Sequence, residues 1–78
     1  MPLNKARREI LRHAQDHLTI AKGYLVSAKD QEQDAMDNVP EGLQESERYD
    51  KMDSAVDKMD DALSDIEEAQ RCINAAME

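Results

Sequence analysis

Two interleaved rows of apolar residues, each repeating every seven positions, constrain this chain more than any other feature. Leu11, Leu18 and Leu25 form one row and Ala14, Ala21, Ala28 and Ala35 the other. Their steps of three and four make an apolar stripe on a helix. A third row, Ile10, His17 and Tyr24, flanks them. The second half repeats the plan, with Met52, Met59, Ile66 and Ile73 beside Ala55, Ala62, Ala69 and Ala76. Val56, Leu63, Gln70 and Met77 widen that face. Ala is the best helix former and lets two backbones approach closely. The pattern predicts Ala row packed on Ala row, with Leu, Ile and Met sealing the sides.

This periodicity overrules the bulk composition. Only 13 of the 78 residues are Leu, Ile or Val, there is no Phe, and the net charge is −8. Few bulky aliphatics with high net charge is the signature of disorder. A narrow, close-packed seam needs less bulk than a globular core.

Between the halves, Asp37-Asn38-Val39-Pro40-Glu41-Gly42 interrupts the stripe. Pro40 disfavours helix at Val39, and Gly42 is a second breaker. Asn38 stands three residues before Glu41, in capping-box register for a following turn. Ser46 is placed to cap a second helix, with Glu47 and Asp50 at its positive end. The expected elements are a helix over about 4–36, a turn over 37–45 and a helix over about 46–77. The fold class is therefore all-α: one antiparallel helical hairpin spanning 1–78. Each apolar face is wider than one partner helix covers, so the hairpin is expected to dimerise into a four-helix bundle.

The charge is sorted along the chain. Residues 1–29 carry six bases and two acids, and residues 30–78 four bases and sixteen acids. Antiparallel pairing sets Arg7, Arg8 and Arg12 near Glu67, Glu68 and Glu78, and leaves the turn as an acidic tip. Asp53, Asp57, Asp61 and Asp65 step by four along the outer face of the second helix. With Asp60, Glu67 and Glu68 they place about one acid per 3 Å of rise. A DNA strand carries one charge per about 3.4 Å. The pattern suits a surface that imitates nucleic-acid charge, and equally a solvated face that keeps an Ala-rich bundle soluble. The expected partner-binding residues are Glu41, Glu45 and Glu47 at the tip, and Asp53, Asp57, Asp60, Asp61 and Asp65 on the helix. The expected partner is a protein with a basic surface.

Other chemistry finds little material. No run of about 18 apolar residues provides a membrane span. The start lacks a signal-peptide plan, and Cys72 has no second cysteine, so a cytoplasmic location is expected. Net acidity disfavours direct nucleic-acid binding. His13 and His17 are one helical turn apart with Glu9 a turn earlier, a spacing that can hold zinc. Ala14 replaces the glutamate that a zincin has after its first histidine, which removes the hydrolytic reading. Asp34-Ala35-Met36-Asp37-Asn38 lacks the ligand spacing of a calcium loop. No carboxylate stands three residues before either histidine as a diiron bundle requires. No catalytic residue, metal site or cofactor is expected, and the chain reads as non-enzymatic.

The segment Asp37-Asn38-Val39-Pro40-Glu41-Gly42-Leu43-Gln44-Glu45-Ser46-Glu47-Arg48, a D-N-x-P-E-x-L-Q-x-S-E-R pattern, resembles small acidic helical-hairpin proteins of Firmicutes and their phages and mobile elements. The resemblance covers roughly residues 30–75. That family has no assigned activity, so it lends no site residues; it implies a bacterial or phage, intracellular setting. The functional expectation is an acidic interaction protein, in such a setting an inhibitor of a nucleic-acid enzyme. The alternative is a self-assembling bundle acting as scaffold or small chaperone.

Overall fold

The computed structural model describes residues 4–44 and 46–78. They form helix α1 (Lys5–Asp37), a single 3-10 turn (Glu41–Leu43) and helix α2 (Glu47–Met77). The two helices lie antiparallel in a rod of 61 × 15 × 13 Å.

Both helices begin on a side-chain cap. Asn4 accepts the Arg7 backbone N–H at 3.0 Å, and Ser46 accepts that of Tyr49 at 3.2 Å. Each satisfies one N–H that has no partner within the helix. Asn38 does not cap the turn after it. It closes α1, donating its backbone N–H to the Asp34 carbonyl at 3.2 Å. Pro40 instead opens the 3-10 turn and accepts the Leu43 N–H at 2.8 Å. The reason is local: Pro40 holds its own φ at −57° and supplies the free carbonyl, so the turn needs no side-chain cap.

The helices do not meet through their Ala rows. Among the described residues the buried side chains are Met36, Val56 and Leu63, at 4%, 7% and 8% exposure. In α1 the Leu row and the row Gln15, Lys22, Lys29 and Met36 face α2; in α2 the row Val56, Leu63, Gln70 and Met77 is central, with Met52, Met59, Ile66 and Ile73 half-buried beside it. Ala55, Ala62 and Ala69 are half-buried at its edge, and Ala28 and Ala35 are exposed. Larger side chains remove more apolar area from water per position, about 25 cal/mol for each Å². The bulky rows therefore take the seam and the Ala rows its margin.

A polar row sets the register along one margin. Gln15 donates to Asn74 Oδ1 at 2.8 Å, and Gln70 donates to Thr19 Oγ1 at 3.1 Å. Lys22 pairs with Glu67 at 3.3 Å and Lys29 with Asp60 at 2.6 Å. The steps from 15 to 19, 22 and 29 on α1 match those from 74 to 70, 67 and 60 on α2. One antiparallel alignment satisfies all four contacts. The expected pairing of Arg12 across the hairpin is not formed, because Arg12 reaches Glu9 on its own helix and Arg71 reaches Glu68 on its own. The chain therefore links its helices through lysines nearer its middle. Gln15 Oε1 is buried without a hydrogen bond, the cost of seating an amide in the seam.

Leu63→Ala is expected to destabilise the fold by about 2–4 kcal/mol, since it empties the centre of the seam. The solvent-facing Ser54→Ala should stay within about 0.5 kcal/mol of the parent. Urea titration followed by circular dichroism checks both, and equal midpoints would contradict this seam.

Candidate functional site

The packing leaves the rod with two unlike margins. In α1 the polar residues Gln15, Lys22 and Lys29 stand four positions after the Leu row, and Ala14 and Ala21 three after it. At about 100° per residue these are opposite flanks of the helix. In α2, Asp60, Glu67 and Asn74 stand four positions after Val56, Leu63 and Gln70, and Ala55, Ala62 and Ala69 one before. The polar rows meet on one side of the hairpin, so both Ala rows share the other.

That other side extends over α1 as a face without charge. The rows Ile10–His17–Tyr24–Gln31, His13–Ile20–Ser27 and Ala14–Ala21–Ala28–Ala35 contain no Asp, Glu, Lys or Arg, and the second meets its first charge at Asp34 near the turn. All of these residues but Ala14 and Ala21 are exposed. Tyr24 is 75% exposed, Ile10 65% and Ile20 57%. Ile10, Ile20 and Tyr24 thus stand exposed on one side of α1 among small and uncharged polar residues. At the turn this side runs into a groove of about 450 Å³, lined by Ala35, Val39, Pro40, Leu43, Tyr49 and Met52 among others. Half-buried Tyr49 closes the seam there, so the two tyrosines have different surroundings.

The acidic residues divide into two groups. Asp53, Asp57, Asp61 and Asp65 are exposed and, among the described residues, have no ion-pair partner. Each step of four over-rotates by about 40°, so the row winds across the back of α2. Asp60 is different: it turns to Lys29 and belongs to the inter-helix margin. Glu47 pairs with Lys51 at 3.3 Å along α2. Glu41 is exposed at the first position of the 3-10 turn. Glu45 lies outside the described residues.

His13 and His17 are both exposed on the uncharged face. Glu9 is drawn to Arg12, off that face. Among the described residues no group of three or more His, Cys, Asp or Glu is placed to hold a metal ion. Cys72 is exposed, with its thiol 3.8 Å from Glu68 Oε1. Among the described residues no helix is long and apolar enough to cross a membrane. No protein-family model, curated protein or solved structure matches the chain.

A leftover face on α1 is expected from the width of its apolar rows, but its composition is not, since the row Ile10–His17–Tyr24 reads as the flank of a core and is exposed. Its signal was available: those rows lack charge, while the rows on the other flank pair with α2.

Two ion pairs give the fold a pH dependence. The hydrogen bond to Asp60 and its negative charge raise Lys29 above its ordinary 10.5. The hydrogen bond from Arg71 and its positive charge hold Glu68 below its ordinary 4.5. A raised Lys contributes stability below its unfolded pKa and loses it as pH climbs through the folded value. A lowered Glu contributes above its unfolded pKa and loses it as pH falls through the folded value. The melting temperature is expected to drop beyond both limits. Lys29→Met should make the alkaline drop slightly shallower and leave the acid side unchanged, and Glu68→Gln the reverse; profiles unchanged by either would refute the assignment.

Proposed function

We propose that this chain is a non-enzymatic, acidic interaction protein that acts as a pair of hairpins. The uncharged face is covered by a second copy in a four-helix bundle, and the back of α2 is offered to a basic protein surface. The observation that carries this reading is the separation of the two surfaces. Self-association through the Ala side leaves Asp53, Asp57 and Asp61 in water. The shallow seam supports the same reading: three buried side chains among the described residues are little for a hairpin of this length, and a second hairpin adds the missing burial.

The partner is proposed to be a basic cleft that otherwise holds nucleic acid. Support comes from the acid spacing on α2, close to that of phosphates along a strand. The turn segment's resemblance to small acidic proteins of phages and mobile elements points to an inhibitor working in the cytoplasm. A second reading, a scaffold or small chaperone, is favoured by Ile20 and Tyr24, whose exposed side chains could engage a client.

Sedimentation equilibrium should give twice the chain mass, and Tyr24→Glu should return it to a single chain. Separately, binding to an immobilised lysine- and arginine-rich peptide should weaken with added salt and be displaced by duplex DNA. Replacing Asp53, Asp57, Asp61 and Asp65 by Asn should weaken it about tenfold, equivalent to about 1.4 kcal/mol. Equal binding by that variant, or binding indifferent to salt, would sink the acidic-surface reading.

A further inference from the structure

The charges at the two ends of the uncharged face decide how a second copy sits on it. Two hairpins can stack by a two-fold axis in two ways. With both turns at one end, α1 lies over the partner's α2. With the turns at opposite ends, α1 lies over the partner's α1 and runs antiparallel to it. The first arrangement gathers Glu32, Asp37, Glu41 and Glu47 of both copies at one end of the assembly. The second lays the basic start of each α1, with Lys5, Arg7, Arg8 and Arg12, beside the acidic end of the other, with Asp30, Glu32, Asp34 and Asp37. Helix axes in a bundle are about 8–10 Å apart, within the range where salt leaves charges coupled.

We infer that the uncharged face is the seat of a second copy of this chain, with α1 antiparallel on the partner's α1 and Ala21 at the two-fold axis. This rests on the four-helix reading and specifies it. Full overlap of two helices spanning Lys5–Asp37 brings their midpoints, residue 21, together. Ala14 then lies level with the partner's Ala28, and His17 close to the level of the partner's Tyr24. Small residues meet small residues at the crossing, where the backbones approach most closely.

The ends also fit. Ile10 is 65% exposed and comes within a helical turn of the partner's Ala35, at the mouth of the apolar groove beside the turn. Arg7 falls level with the partner's Ala35, next to the acidic tip. The same-end arrangement leaves Ile10 without a groove and gathers the acids of both turns at one end.

Cysteine cross-linking in a full-length Cys72→Ser background tests the geometry, with circular dichroism confirming that each variant stays helical. Under mild oxidation Ala21→Cys should form a disulfide-linked dimer with itself. Ala14→Cys and Ala28→Cys should cross-link to each other when mixed, and poorly when alone. If Ala21→Cys fails to link while sedimentation still shows a dimer, the antiparallel placement is wrong and the four-helix reading stands. Preferential linkage of Ala21→Cys to Ala69→Cys would likewise overturn the antiparallel placement and identify the same-end arrangement. A single-chain mass at every concentration would remove both.

Discussion

The fold depends on one antiparallel alignment of two long helices. Leu, Val and Met side chains fill the seam, and a ladder of polar contacts allows them one register. Lys22 with Glu67 and Lys29 with Asp60 are surface pairs, each of small net worth in stability. Their value is positional: a slip of one residue breaks both pairs and both amide contacts together. Lysine suits this place because its long apolar stem can lie along the seam while the ammonium group reaches water.

The separation of the surfaces follows from that alignment. Once the polar rows are committed to one margin, the small residues of both helices are left together on the other, and Asp53, Asp57, Asp61 and Asp65 on the back of α2. The net charge of −8 thus describes a sorted rod rather than a uniformly acidic one. Its mixed-charge open end, acidic tip, uncharged side and acidic back are four distinct environments on a molecule only 61 Å long.

Much of the architecture was legible because it is local. Ser46 announces α2, Pro40 and Gly42 the break before it, and the expected helix limits differ from the observed ones by a residue. Asn38 was harder, because its side chain is equally at home ending one helix or starting another, and the carbonyl of Pro40 settled the matter. The outer acidic row was visible from its spacing, whereas the engagement of Asp60 was not. Asp60 differs from Asp61 by only one position, and only the proximity of Lys29 tells them apart. The same holds for Arg12, whose nearest acid proved to be on its own helix.

By itself the sequence determined that there would be two helices of equal length, where they would break and that they would fold back on one another. Helix propensity, caps and a period of seven are properties of single segments and need no partner to be expressed. Which row would be the core was decided only by the tertiary structure. A period of seven defines several parallel rows on each helix, and Leu, Ala and Ile–His–Tyr rows all satisfy it. The choice among them is a fit between two surfaces, made by the volume of Met36, Val56 and Leu63 and by the pairing of lysines on one helix with acids on the other. That fit left a face of α1 without charge and without cover, although every residue in it was plain from the start.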